Sequence, residues 1–302
     1  MKIAVTGGTG LLWQALIEEI MFQEPEWEIV SLSRSDPPEQ QRPFWKRLDV
    51  SDLTATRNLI TRINPDLVIH TAAIRSPDDC ERDPEAAFKV NFLGTRNVAL
   101  ACDRFDTEML MVSSDQVFYG VANKKLHREW DKPKAANVYG QTKLLGETYV
   151  REHLRRWWIV RTAKIFGGPN DRTSFINMAS LSLMQDKPIN VVKEWASHIT
   201  HAKYVSQGII AAVKKKTYGI YHLVSPGVPS YWDVGEYLAE SMGKPKSMLT
   251  AVSQKDLHLP AARAEYLSLS NETWKADFDG PLPAWQQGID LFLSERSTKA
   301  KR

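Results

Sequence analysis

The chain of 302 residues, 43% hydrophobic and 25% charged, has the make-up of an ordinary globular protein with core enough for one large or two modest domains. A formal net charge of +3 is too small to argue for a nucleic-acid partner, no apolar run approaches the ~20 residues that span a bilayer, and the N-terminus enters a strand pattern without a signal-peptide layout. Two cysteines, Cys80 and Cys102, make no disulfide framework, so a reducing cytoplasm is the expected setting and buried, inert thiols the commoner state.

Lys2 to Val5 is a β-rich run feeding Thr6-Gly7-Gly8-Thr9-Gly10 and then an apolar helical stretch from Leu11 to Met21. In that setting glycines let the backbone approach a pyrophosphate, and the helix start offers free amides and a positive dipole. Gly7, Thr9 and Gly10, with the first helical residues Leu11 and Leu12, are the candidate phosphate-facing positions. A turn that merely joins two elements is the alternative. The usual third glycine position holds Trp13, whose indole must be turned elsewhere.

Glu28 to Ser33 forms the second strand, followed by Arg34. At that strand end an acid accepts from the 2′-OH of NAD, whereas an arginine accommodates the 2′-phosphate of NADP. With Ser33, Arg34 and Ser35 at the tip and Asp36 too late to be the acid, NADP(H) is favoured and NAD(H) is the alternative. A surface arginine before the Pro37-Pro38 loop is the bland reading. Arg47-Leu48-Asp49-Val50 ends a third strand, and Ser51-Asp52 caps the helix that follows. Asp49 either accepts from an adenine amino group or helps the helix start. Asp66 to His70 is the fourth strand, a continuous apolar run as in a parallel sheet covered on both faces. It opens into Thr71-Ala72-Ala73, small residues that leave room for a flat ligand. His70 has no second histidine or carboxylate at metal-ligand spacing, so it reads as strand-end packing and no metal site is expected.

A long helix from Pro84 to about Asp103 carries Asn91 in an otherwise apolar stretch. The fifth strand, Met109 to Val112, runs into Ser113-Ser114-Asp115-Gln116-Val117-Phe118. Hydroxyls at the carboxyl end of a parallel strand stand where open α/β sheets bind ligands, which makes Ser114 a candidate. Asn137 to Glu147 then opens a helix with Tyr139 and Lys143 four apart, on one face. An ammonium beside a phenol favours the phenolate, so Lys143 is expected to draw the Tyr139 pKa below its usual value of about 10. A tyrosine tuned in that way donates a proton to a developing alkoxide. Lys143 also has the reach to bond a ribose hydroxyl. The same spacing occurs on many solvated helices; Ser114 and the glycine turn give it meaning here.

Alternating strands and helices indicate an α/β fold with a Rossmann-type, doubly wound parallel sheet. Trp157 to Thr162 adds a sixth strand. Beyond it, helices near 173–184, 204–213, 231–241 and 283–293 are separated by short strands at Ile189–Val192 and Ile220–Val224. The expected division is an NADP-binding domain of residues 1–163 plus about 190–224, and a smaller C-terminal substrate-binding lobe of about 164–189 plus 225–302. Lys214 to Lys216 reads as a solvated helix end and Lys299 to Arg302 as a frayed tail.

Thr6 to Gly10, His70 to Ala73, Val90-Asn91-Phe92-Leu93-Gly94-Thr95-Arg96-Asn97, Ser113 to Phe118 and Asn137 to Glu147 occur in one order along nearly the whole chain. Together they resemble the extended short-chain dehydrogenase/reductases, and more narrowly the dTDP-4-dehydrorhamnose reductase family. That resemblance implies NADP(H), a nucleotide-linked sugar as substrate, and reduction of its 4-keto group by hydride transfer. It implies Ser114 as the catalytic hydroxyl, Tyr139 as proton donor and Lys143 as the lysine that tunes it. Gly7, Gly10 and Arg34 would line the phosphates, and Asp49, Val50, Thr71, Ala72, Ala73 and Asn91 the rest of the cofactor groove. A homodimer follows by analogy only. The chain departs from the family's pattern at Gln116, through Glu194 to Tyr204, and at Arg263-Ala264. Those departures keep a reductase of another carbonyl open, Trp13 in the glycine motif a non-catalytic regulatory subunit, and Asp115 beside Ser114 an epimerase or dehydratase.

Overall fold

A computed structural model describes residues 1–36, 44–120, 125–168, 171–280 and 282–300, with only the backbone of 298–300. Pro37-Pro38, Pro169 and the tail end at Lys301 and Arg302 lie outside the described residues. In chain order the elements are β1 (Lys2–Thr6), α1 (Leu11–Gln23), β2 (Glu28–Ser33), β3 (Trp45–Arg47), α2 (Leu53–Ile63), β4 (Leu67–His70), α3 (Pro77–Arg82), α4 (Pro84–Ala87), α5 (Gly94–Arg104), β5 (Glu108–Ser114), β6 (Leu126–His127) and α6 (Val138–His153). The second half continues with β7 (Trp157–Thr162), β8 (Lys164–Phe166), α7 (Phe175–Met184), β9 (Ile189–Val192), β10 (Ile199–His201), α8 (Ala202–Lys215), β11 (Gly219–His222), α9 (Tyr231–Ser241), β12 (Leu249–Val252), β13 (Ser268–Leu269), α10 (Glu272–Asp277) and α11 (Trp285–Ala300).

Seven parallel strands form one sheet in the order β11-β7-β5-β4-β1-β2-β3. The order runs outward both ways from β1, so the carboxyl ends of β1 and β4 border the crevice in which doubly wound sheets bind ligands. Ile3 and Val5 point into the core beneath α1 and α8, and Ala4 into the one beneath α2, α5 and α6. That is the two-residue period of a strand buried on both faces. Asp52, Ser76, Asn137 and Ser174 cap α2, α3, α6 and α7, each accepting from the backbone amide three residues on. Such caps are worth ~1 kcal/mol apiece. α1 differs: it starts at Gly10 with no capping side chain and no acid in its first turn.

Three boundaries differ from the sequence reading. The third strand ends at Arg47, not Val50, because the Asp49 carboxylate accepts from the Ser51 amide at 2.9 Å and turns the chain early. The long helix is α4 and α5 joined through a π-helical segment, Phe88–Leu93, which carries Asn91. β9 pairs with β12, and this ribbon shares a core with α7, α9 and α11 through Ile176, Leu183, Val191, Leu238 and Ile289. Residues 189–192 therefore pair outside the main sheet, with which the range 190–224 grouped them. A four-residue apolar run carries no signal of which sheet it joins. Among the described residues no helix is long and apolar enough to cross a membrane.

Candidate active site

A groove of about 1070 Å³ crosses the carboxyl ends of the sheet strands. Gly7, Thr9, Gly10, Leu11, Leu12, Arg34, Asp49, Val50, Thr71, Ala72, Ala73, Ser114, Tyr139 and Lys143 all line it. Gly7 adopts φ 78°, and a Cβ there would stand 2.6 Å from Thr71 Oγ1 and 2.8 Å from the Ala72 nitrogen. At Gly8 it would stand 1.9 Å from Ser31 Oγ. Glycine is thus required for the turn to lie against the ends of β2 and β4. Trp13 is 1% exposed and joins the core that holds Leu16, Val205 and Ile209. Its side chain packs into that core, and Trp13 also forms part of the groove lining. Arg34 lines the groove and Asp36 does not. Burial pushes the Asp49 carboxyl up, but the Ser51 amide and hydroxyl, with Arg34 and Lys89, outweigh it and hold the group below the usual range.

Asn91 is the exception among the expected groove residues. It is fully buried behind the wall, where its Oδ1 accepts from the Ile74 amide (2.7 Å) and its Nδ2 donates to Ile74 O (3.1 Å) and Thr142 Oγ1 (3.2 Å). It ties the loop after β4 to α6, and its neighbour Val90 reaches the groove instead. His70 is likewise internal. Thr95 Oγ1 donates to Asn91 O, so it accepts from His70 Nε2 at 3.0 Å, leaving Nδ1 to accept from Thr6 Oγ1 at 2.8 Å. Burial lowers the His70 pKa to about 3, with Lys143 adding to the effect, so the ring stays neutral. Cys80 and Cys102 are free and buried, and burial raises both thiols.

Ser114, at the end of β5, donates to Asp115 Oδ1 (2.8 Å), accepts from the Gln116 amide (3.2 Å), and lines the groove together with Tyr139. Gln116 Oε1 in turn accepts from Nδ2 of Asn137, the α6 cap, at 2.8 Å, which fixes the helix start against the strand end. Tyr139 and Lys143 therefore enter the groove together from α6. The expected acidification does not appear. Burial drives the Tyr139 pKa up to about 12, helped by Asp115 and Cys80, while Ser114 and Lys164 pull it back. Lys143, 2% exposed, is itself lowered to about 8 by burial, against Glu147 and Cys80. Sequence spacing put the two side chains on one face but said nothing of how dry that face is.

Behind α6, Glu147 pairs with Arg161 of β7 at 2.7 Å, both 1% exposed, and accepts from Ser113 Oγ at 2.5 Å. Removing one partner of such a pair costs about 3–5 kcal/mol, so the seat of the helix is firmly held. Asp115 also lines the groove, as do Lys164, Phe166, Phe175 and Tyr231, which were not singled out from sequence. The signal available was Lys164, a charge set inside the apolar run from Trp157 to Phe166. The two residues of the divergent segment nearest to the family's pattern do not reach the groove. Thr200 Oγ1 accepts from the Ser225 amide at 2.8 Å, and Glu194 accepts from Ser253 Oγ at 2.9 Å. Arg263 donates to Asp78 at 2.8 Å. Among the described residues no group of three or more histidines, cysteines or acids is placed to hold a metal ion.

The sequence profile of the RmlD substrate binding domain family matches residues 1–298. A dTDP-4-dehydrorhamnose reductase of Mycolicibacterium smegmatis is 26% identical over 95% of this chain and 84% of its own. Methionine adenosyltransferase 2 subunit beta of Xenopus laevis is 28% identical over 84% of this chain and 76% of its own. Among solved structures, a dTDP-4-dehydrorhamnose reductase of Bacillus anthracis in complex with NADP superposes with a TM-score of 0.86 at 24% identity, covering 97% of this chain and 99% of that one.

Proposed function

The chain belongs to the RmlD substrate binding domain family, and from that premise we propose that it is an NADPH-dependent reductase of the keto group on a nucleotide-linked deoxysugar. The observation that carries the reading is that Ser114, Tyr139 and Lys143 line one groove that begins at an uncapped helix and a glycine turn. Gly7, Gly10 and the first turn of α1 fit a pyrophosphate, because the turn tolerates no Cβ at Gly7 and the helix start carries no competing side chain. On this reading Arg34, Asp49 and Lys143, which all line the groove, would receive the 2′-phosphate, the adenine edge and the nicotinamide ribose. When bound, the reduced nicotinamide supplies the hydride.

The side chains do the rest. Ser114 Oγ and Tyr139 Oη hold the carbonyl oxygen; Tyr139 donates to it as charge grows there, and Ser114 does so once its proton turns from Asp115 Oδ1. A phenol kept protonated by burial suits that direction of reaction, since its task is to give a proton to an alkoxide. Two preorganised donors of this kind are worth ~10²–10³ in rate each. Tyr139→Phe is therefore expected to lose ~10²–10³ in turnover of a dTDP-linked 4-keto-6-deoxyhexose, followed as NADPH oxidation, while tryptophan quenching by NADPH is retained. A Phe variant as fast as the parent would end the assignment.

A second reading is a non-catalytic subunit, favoured by the likeness to methionine adenosyltransferase 2 subunit beta. It predicts NADPH quenching with no oxidation of the cofactor by any keto sugar. A homodimer through the helices beside β4 and β5 is supported by Phe88 and Leu145, exposed there at 41% and 42%; light scattering would test it.

A further inference from the structure

Gln116 stands two residues beyond Ser114, in the short 3₁₀ turn Asp115–Phe118 by which the chain leaves β5. It is 5% exposed and lines the groove. Its amide donates to Ser114 Oγ at 3.2 Å. The same turn is pressed against the start of α6, where a Cβ at Gly140 would stand 2.4 Å from Gln116 O. The backbone thus brings Gln116 beside Ser114 on one side and beside the residue after Tyr139 on the other.

Hydrogen bonds decide which end of its carboxamide is free. The Gly140 amide donates to Asn137 Oδ1 at 2.8 Å, so the other end of the Asn137 side chain is its amino group. That group donates to Ala262 O at 3.1 Å and to the Gln116 side chain at 2.8 Å. Ala262 is itself held in place, because the neighbouring Ala261 amide donates to Asp78 Oδ1 at 3.0 Å. The Gln116 atom that meets Asn137 must therefore be the acceptor Oε1, which leaves Nε2 with two N–H donors. Among the described residues nothing accepts from Nε2, and it is not one of the buried atoms cut off without a partner, so it opens on the groove. Donors on a side chain otherwise enclosed and fixed call for an acceptor that the ligand brings.

We propose that Gln116 is a specificity-determining residue whose Nε2 donates to a hydroxyl on the carbon next to the reacting carbonyl. The inference rests on the reading of Ser114 and Tyr139 as the pair that holds that carbonyl. In a 4-keto-6-deoxyhexose the two flanking carbons differ: C3 bears a hydroxyl, whereas C5 bears only the methyl group and the ring oxygen. The groove is then built for a sugar that keeps its C3 hydroxyl. A 3-deoxy sugar would cover the carboxamide and leave it unpaired, which is the costly way to lose a hydrogen bond.

The test is calorimetry on the full chain with NADP present, titrating dTDP-6-deoxyglucose and then dTDP-3,6-dideoxyglucose, which lacks the C3 hydroxyl. The parent is expected to bind the first about 10-fold more tightly. In Gln116→Leu the two affinities should come within about 2-fold of each other, through a loss on the hydroxylated sugar alone. Gln116→Met takes its place if the leucine variant does not fold. Gln116→Glu keeps an oxygen for Asn137 and can accept the C3 proton, so the preference for the hydroxylated sugar should return. Were Gln116 only a seat for α6, the leucine variant would weaken both sugars alike and keep the parental ratio. That result overturns the proposal, as does a parent that does not tell the two sugars apart. No turnover is involved, so a parent that prefers the hydroxylated sugar yet reduces no ketone refutes the reductase reading alone.

Discussion

The two walls of the groove are built on different plans. The wall around the glycine turn is backbone and small side chains from three short stretches, Gly7 to Leu12, Ser33 to Ser35 and Thr71 to Ala73. The facing wall is large side chains, Lys164, Phe166, Phe175 and Tyr231, delivered by β8, α7 and α9. A backbone cradle recognises what any dinucleotide presents, phosphate and ribose, and is set by local geometry. A wall of aromatic rings and one ammonium recognises shape, and depends on how the smaller lobe packs. General chemistry and selectivity are therefore separable here.

The hardest blow to that separation would come from Gly7→Ala. Its Cβ would sit at φ 78° within 2.8 Å of the Ala72 nitrogen, a backbone atom with nowhere to go. We expect about 2–3 kcal/mol of lost cofactor binding, or roughly 30- to 150-fold in Kd by fluorescence titration. Sugar-nucleotide binding, measured by calorimetry without cofactor, should hold. If both affinities fall together, the two walls are one cooperative unit. A smaller effect is expected from the other side. The Tyr231 ring stands 4.9 Å from Phe175 and 5.5 Å from Trp195. Tyr231→Ala removes contacts worth about 0.5–1.5 kcal/mol, so KM for the keto sugar should rise up to ~10-fold with NADPH affinity unchanged.

The same division explains what could be read without coordinates. Glycine turn, strand ends and the Tyr139–Lys143 spacing are local, and each places its residues through geometry that a few neighbours determine. Asn91 misled because a polar residue in an apolar helix looks the same whether it faces a ligand or a loop; its hydrogen bonds to Ile74 decide the matter. Lys164, Phe175 and Tyr231 meet only through tertiary packing, and β9 finds β12 some 60 residues away. The direction of the Tyr139 shift was missed for a related reason. Charge spacing is legible along a helix, but the dryness of its surroundings is a property of everything packed around it.

Lys143 stands at the seam of the two walls and gives the finest test of how dry that seam is. Its folded pKa, near 8, lies below the ordinary lysine value of about 10.4 that it regains on unfolding. Between those values the unfolded chain holds a proton that the folded one has released, so stability from this group rises with pH across that window and is absent below it. The parent should accordingly gain on Lys143→Met by roughly 1 kcal/mol per pH unit from about pH 8 to 10 in urea unfolding. Burial sets the lower end of the window, and the Glu147 carboxylate keeps it from falling further. A parent and variant that stay parallel through pH 10 would mean that the ammonium is solvated in the folded protein. The seam would then be wet.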